Sequence, residues 1–334
     1  MTDLTICTLA SHTALQIMKG ARDEGIKNLA VAEKRNLKAY ESFRVCDEIV
    51  TLDSFSELPS VDDQLASKNA VLIPHGSLVN ALSQEQINNL KVNYYGNRNI
   101  LKYEADRLKQ REWLKDAGLV LPRIYKHAND IDGPVIIKFD GAGGGKGYFL
   151  AHTPEEFEEK IQHHPNKRYI IQEYIVGAPI YIHFFQSSLT GELEIMGFDK
   201  RYESNVDSVG RIGAKDQMDL NIETSYTITG NMPLVVRESL LTRILEMGES
   251  VIEASKKFDG VGLFGPFCLE TVITPDLEFY VFEISARIVA GTNPYVNGSP
   301  YTDLRYGEPM STGRRIAREL KLANEQGKLD KVFG

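Results

Sequence analysis

The sequence predicts an α/β protein in two successive parts: a small parallel-sheet domain over residues 1–98, then a larger domain over 99–334 that carries a mobile glycine-rich lid over about 128–181. Three observations predict it. The first hundred residues alternate short apolar runs with amphipathic stretches, as βαβ units do. A strand-like VIIK runs directly into the glycine-rich DGAGGGKGY, and CLETVITPDLEFYVFEIS reads as a β-hairpin apolar on both faces. A chain of 334 residues also exceeds what one hydrophobic core usually fills, which agrees with two or three packed units.

Taken in order, residues 4–9, 29–32 and 70–74 read as strands, with helices over 13–24 and 83–90 between or after them. The string NILKYEADRLKQREWLKDAG at 99–118 predicts one helix joining the domains, with Leu101, Ala105, Leu108 and Trp113 along one side and Gly118 as its stop. A strand over 135–139, the glycine loop at 140–147, a short strand at 148–151, a helix over 154–161 and a strand over 169–174 follow. From 177 to about 229 the chain is strand-rich, and a long amphipathic helix is predicted over 238–258. The hairpin at 268–284, a long loop and a terminal helix complete the chain. That last helix holds Arg314, Arg315, Arg318 and Lys321 among glutamates and reads as a solvated face.

Apolar residues make up 42% and charged residues 25%, an ordinary globular balance. No run of 18 apolar residues exists to span a membrane, and no basic-then-apolar leader opens the chain, so a cytoplasmic protein is expected. Cys7, Cys46 and Cys268 are far apart and odd in number, which fits buried small hydrophobes better than a disulfide framework or zinc site. With 38 basic against 46 acidic side chains the net charge is −8, a poor footprint for nucleic acid. Any anionic ligand must then be held locally.

The glycine loop is the first place for that. Its amides can approach phosphate oxygens closely at Gly143, Gly144 and Gly145, with Lys138 and Lys146 adding positive charge. It is one residue too short for GxxxxGK[ST] and misplaces the last glycine of GxGxxG, so a β-loop-β phosphate flap is predicted, a plain structural hairpin being the alternative. In the later hairpin, a four-residue turn at 275–278 sets Thr274 opposite Phe279 and Glu270 opposite Glu283. Two buried carboxylates that close require a shared proton or a bridging cation, for which Mg²⁺ with nucleotide phosphates is suited. Otherwise one pairs with Arg287 and the other lies at a sheet edge. In IQEYIVG, Glu173 offers a carboxylate to a ribose or amino group, while the backbone that follows it suits an adenine edge; any strand end would look alike.

A strand lysine, a glycine flap, a strand-hinge Glu, a long helix, then Glu and E-x-S-x-R on paired strands: this order resembles the ATP-grasp fold over about 99–297, the first hundred residues being similar to the domain that precedes it in that class. Within the class the chain resembles, nearly end to end, the archaeal-type formate-dependent 5-formaminoimidazole-4-carboxamide ribonucleotide (FAICAR) synthetase family. The motifs that carry the resemblance are ASHTALQIMKGARDEG, PHGSLV, RYESNVDSVGRIGAKDQ, TGNMPLVVRESLL, GPFCLE and FEISARIVAGTNPYVNGSPYT. It implies an ATP- and formate-dependent ligase that formylates the ribotide AICAR through formyl phosphate in IMP biosynthesis, using Mg²⁺ or Mn²⁺, and a homo-oligomer. It implies that His12, Ser77 and Asn231 contact the ribotide and that Glu270 and Glu283 hold the metal. Lys138, Gly143, Gly144, Gly145, Lys146, Gln172, Glu173, Tyr174, Ile175 and Glu203 would bind ATP, and Lys138 and Arg287 would stabilise charge on the transferring phosphoryl group. Ser285 stands where many members of the class have Asn. The residues themselves agree: His12 follows a strand at a helix start, where an anion is favoured, although Ser11 or Thr13 would equally cap that helix. Ser77 follows a second strand end on the same edge, and Asn231 offers a donor and an acceptor to a carboxamide, or else forms a Gly-Asn turn. Another acid–amine ligase, or a nucleotide-binding paralogue without turnover, would share the nucleotide half of these features.

Overall fold

A computed structural model describes residues 3–139, 148–203, 206–219 and 227–334. The first hundred residues form a parallel sheet of β1 (Thr5–Leu9), β2 (Lys27–Glu33), β3 (Glu48–Leu52), β4 (Ala70–Leu72) and β5 (Asn93–Tyr94), in the order β3-β2-β1-β4-β5. Both faces of β1, β2 and β4 are covered: Cys7, Leu9, Leu29, Val31 and Leu72 face one core, and Ile6, Ala30 and Val71 face others. That is why these strands read as continuous apolar runs. The chain leaves β1 toward β2 on one side, whereas β4 lies on its other side. A crevice therefore opens at the carboxyl ends of β1 and β4, where such sheets bind ligands.

The connector differs from its predicted form. Two helices, Arg98–Glu104 and Arg107–Asp116, replace the single one, because the Asp106 side chain accepts from the amides of Leu108 and Lys109 and starts a new helix. The break resets the helical phase. Leu101 and Trp113 are buried as expected, but Ala105 and Leu108 face solvent, and Gln110 and Leu114 point inward instead.

Next comes an antiparallel sheet of β6 (Ile124–Tyr125), β7 (Val135–Phe139), β8 (Tyr148–Ala151) and β9 (Tyr169–Glu173), ordered β6-β9-β7-β8 with the helix Pro154–Ile161 against it. A larger antiparallel sheet follows: β10 (Ala178–Gln186), β11 (Leu193–Glu203), β12 (Ile228–Leu234), β13 (Gly265–Ile273) and β14 (Phe279–Ser285), ordered β12-β11-β10-β13-β14. Two short helices, Val206–Val209 and Ala214–Asp219, interrupt the stretch expected to be only strand-rich. One face of this sheet (Ile182, Phe184, Phe198, Phe267, Leu269) packs on Ile244, Met247 and Val251 of the helix Leu241–Asp259. The other face carries His183, Asp199, Arg201 and Glu270 beside Tyr181, while its far end, Phe185 and Met196, packs with Ile316 and Leu320 of the terminal helix.

The hairpin keeps its expected carboxylate pair by an unexpected route. The turn is tighter than predicted: Thr274 pairs with Glu278 rather than Phe279, and Ile273 stands opposite Phe279. A β-bulge then inserts Phe282, so that Glu270 faces Glu283 after all. The terminal helix Thr312–Glu325 overturns the solvated-face reading. Arg315 is buried between Glu194 and Glu319, while Arg314 and Arg318 pair with Glu24 and Glu308. Cys7 and Cys268 are buried and Cys46 partly so, all three as free thiols. No helix among the described residues is long and apolar enough to cross a membrane.

Candidate functional site

At the crevice of the parallel sheet, His12 adopts a left-handed backbone (φ 56°) immediately after β1. A non-glycine residue there is strained, and it is fixed from outside: Asn293 Nδ2 donates to the His12 carbonyl at 2.9 Å. Thr13 occupies the position before the helix Ala14–Asp23 without a side-chain cap bond. The neighbouring His75 is fully buried after β4. Its Nδ1 accepts from the Ser77 amide at 3.2 Å, which places the ring proton on Nε2, 2.8 Å from the Leu9 carbonyl. The two imidazoles stack, with centroids 5.2 Å apart and planes 2° from parallel. Gly76 makes this possible, since a Cβ there would lie 2.9 Å from His12 Nε2. Burial, partly offset by the bond to Leu9, pushes His75 down to about 4. His12 is reachable by solvent, yet the enclosing walls and then His75, Arg287 and Arg201 push its pKa down to about 2, so both rings are neutral at pH 7.

Across the crevice lies the polar part of that face of the large sheet. Asn231 on β12 donates from Nδ2 to Asp199 Oδ2 at 2.7 Å, and Asp199 Oδ1 lies 2.8 Å from Nε2 of the buried His183. Two residues along β11, Arg201 stacks on Tyr181, 3.9 Å from the ring centroid, and forms an ion pair with Glu270. Tyr181 stands between Asp199 and Glu270 in the register, and Glu270 faces Glu283. Burial raises the pKa of Glu270 above the usual carboxylate range, with Arg201 opposing and Glu283 adding to it. Two opposed oxygen donors of this kind fit a hard divalent cation, whose charge would relieve their repulsion. Among the described residues no third carboxylate, histidine or cysteine joins them.

The small sheet and the connector close the site from the remaining sides. Lys138 on β7 has its ammonium 5.2 Å from the centroid of the Phe282 ring. Burial depresses its pKa, and Glu283 and Glu270 partly restore it. Arg287 is held by Glu104 at 3.0 Å, and the second oxygen of Glu104 accepts the Ala286 amide. Glu203, at the end of β11, has its pKa raised by burial and by Asp207. His12, Asn231, Glu203, Lys138, Glu270, Glu283 and Arg287 thus line one region, and Ser77 is joined to His12 through His75, which its amide bonds and which stacks on His12.

Other expected residues lie on the small sheet and at its end. Glu173 Oε2 accepts from the Arg123 amide at 2.9 Å, a bond inside the β6–β9 edge, and Gln172 is buried in that sheet. Tyr174 and Ile175 begin the link from β9 to β10. Gly143, Gly144, Gly145 and Lys146 lie outside the described residues. Glu104, Tyr181, His183, Asp199 and Arg201 were not foreseen. Period-two alternation back from Glu203 would have put Arg201 and Asp199 on its face of the strand.

Two family descriptions match: "Protein of unknown function (DUF1246)" over residues 6–125 and "Domain of unknown function (DUF1297)" over residues 154–334. A protein of Pyrococcus horikoshii named 5-formaminoimidazole-4-carboxamide-1-(beta)-D-ribofuranosyl 5'-monophosphate synthetase is 52% identical, covering 98% of both chains. One of Methanosarcina barkeri with the same name is 47% identical over 99% of this chain and 95% of its own. Among solved structures, an IMP biosynthesis protein PurP from Thermococcus kodakaraensis superposes with a TM-score of 0.79 at 29% identity, over 98% of this chain and 100% of that one. An ADP complex of N5-carboxyaminoimidazole synthetase from Staphylococcus aureus gives 0.63 at 18% identity over 87% and 72%, a likeness of fold.

Proposed function

The chain belongs to the family of 5-formaminoimidazole-4-carboxamide-1-(beta)-D-ribofuranosyl 5'-monophosphate synthetases, ATP-dependent carbon–nitrogen ligases of ATP-grasp fold, and on that premise we propose that it joins formate to the 5-amino group of AICAR. A formate oxygen attacks the γ-phosphorus of ATP, giving formyl phosphate and ADP. The ribotide amine then attacks the formyl carbon, and the tetrahedral adduct collapses to FAICAR with loss of inorganic phosphate and a proton. The observation that carries this reading is the row across the large sheet. Asp199, which holds Asn231, and Glu270, which faces Glu283, sit two strands apart, about 10 Å at ordinary strand spacing. An amine anchored at one end and a phosphoryl group at the other would meet above Tyr181 and Arg201.

Each side chain has a task set by its surroundings. Lys138 and Arg287 lower the energy of charge that builds on the transferring phosphoryl oxygens. Glu104 keeps the guanidinium of Arg287 aimed. Neutral His12 is available to the ribotide as donor or acceptor, and a recess beside it, lined by Ser11, Arg35, Asn36 and Lys38, suits the ribotide phosphate. Glu270 and Glu283 would hold Mg²⁺ or Mn²⁺, which when bound neutralises β- and γ-phosphate charge. Incubation with ATP, formate and AICAR should yield ADP, phosphate and FAICAR in equal amounts. ADP release that does not depend on formate, or product formed equally well from acetate, overturns the assignment.

A further inference from the structure

Asn231 presents only one end of its amide to the crevice, and Asp199 decides which. A carboxylate has acceptor sites alone, so the group that Asn231 turns toward Asp199 Oδ2 at 2.7 Å must be its NH₂. Asp199 is fully buried, and its other oxygen is taken by His183. Gly291 walls it in, since a Cβ there would lie 2.1 Å from Asp199 Oδ1. With one N–H bonded to Asp199 and the nitrogen end of the planar amide turned toward that carboxylate, the amide oxygen is the end turned toward a ligand. We infer that Asp199 is a specificity-determining residue: it fixes Asn231 as a hydrogen-bond acceptor, so that the site selects a ribotide with a neutral carboxamide N–H and rejects the analogue with a carboxylate in its place.

The inference rests on the reading that Asn231 touches the ribotide. The reacting amine must face Glu270 and Glu283 on the β13–β14 side. The substituent on the adjacent ring carbon splays to one side of that amine in the ring plane, and with the ring lying along the row Glu270–Tyr181–Asp199 that side is the one toward β12, where Asn231 lies. A carboxamide nitrogen there meets an acceptor; a carboxylate oxygen would meet a second oxygen, with a buried negative group behind it. Rejecting a ligand by leaving polar groups mispaired discriminates more strongly than removing contact area.

The test compares AICAR with 5-aminoimidazole-4-carboxylate ribotide by kcat/KM and by direct binding. The wild-type enzyme should favour the carboxamide at least 30-fold; parity overturns the proposal without any variant. In D199N the new amide donates to Asn231, which turns its own NH₂ outward, and the preference should fall at least tenfold, mainly through KM. In D199N/N231D the roles are exchanged, since the side chain at position 199 now donates and the carboxylate at position 231 again offers an acceptor to the crevice. The carboxamide preference should return to within threefold of wild type. A merely structural role predicts instead that the double variant is worse than either single one. Unchanged selectivity in folded D199N, shown by normal ATP affinity, also overturns the proposal. Asn231→Ala separates the two levels: if it leaves the KM for AICAR unchanged, the contact reading fails rather than the orientation argument.

Discussion

Buried between two backbone groups, His75 has no room for a second proton: Nδ1 already accepts the Ser77 amide, and Arg287 repels charge nearby. Its folded pKa of about 4 lies below the ordinary value of 6.5, so between those limits the unfolded chain binds more protons and stability falls as pH drops from 6.5 toward 4. The full difference amounts to about 3 kcal/mol. In His75→Gln this contribution disappears. Urea unfolding at pH 7.5 and pH 5 should show a smaller loss in the variant than in wild type, whatever its stability at pH 7.5; equal losses would remove His75 as the cause. Opposite, Glu283→Gln should abolish ATP turnover while leaving AICAR affinity within a few-fold, because the ribotide anchors lie on other strands; full activity would refute the metal assignment. The Glu270–Glu283 pair was legible because strand residues pair by count, although a turn one residue short and a bulge had to cancel. The partners of Glu104 and Arg201 were not legible, although strand alternation gives the face on which Arg201 lies. Those partners lie 183 and 69 residues away, and no local pattern reports a contact between residues so far apart in the chain.

Periodicity gave most elements to within a few residues, and it failed where a side chain altered the backbone or a helix found an ionic partner. Asp106 is both a tolerable helix residue and a strong cap, and the cap form is the one in which Trp113 donates to the Val251 carbonyl at 3.0 Å and Gln110 to the Glu104 carbonyl at 3.1 Å. The terminal helix shows the second failure. It crosses the helix Ala14–Asp23 at two glycines, where a Cβ on Gly20 would lie 2.3 Å from the Arg314 nitrogen and one on Gly313 2.4 Å from the Gln16 carbonyl oxygen. Contact that close brings Glu24 against Arg314 and Arg318, so residues that look solvated in sequence form the joint. Gly20→Ala sets a helix-propensity gain of about 1 kcal/mol against overpacking of rigid backbone at about 1–3 kcal/mol. Net destabilisation of up to roughly 2 kcal/mol is expected in chemical denaturation. Gly133→Ala, with nothing within 4 Å of its new Cβ, should be neutral or slightly stabilising; equal behaviour of the two would show that the helix crossing is not tight.

At the scale of the whole molecule, the crevice exists only because separate parts of the chain meet over one segment. The 3₁₀ helix Ala290–Tyr295, through Gly291, Thr292 and Asn293, touches Asp199 and His183 on one side and is bonded to His12 and Gln16 on the other. A ribotide seated there would contact His12 of the parallel sheet and Asn231 of the antiparallel one, and so bind only when both are folded and apposed. Ligand affinity then becomes stability of the entire chain: at a hundredfold excess over Kd the gain is about 2.7 kcal/mol, a rise of a few degrees in Tm for a protein of this size. The phosphate decides how much of it survives in a simpler ligand. If Ser11, Arg35 and Lys38 hold the phosphate, the riboside forfeits charge-assisted bonds worth roughly 1.5–3 kcal/mol each. At equal concentration the riboside should therefore raise Tm by less than a third of the ribotide's shift, and added salt should narrow the gap, as screening weakens exposed contacts most. Scanning calorimetry with ribotide, riboside and no ligand makes the measurement. Equal shifts would place the phosphate away from the parallel sheet, and a shift confined to one of two resolved transitions would mean that the ligand bridges nothing.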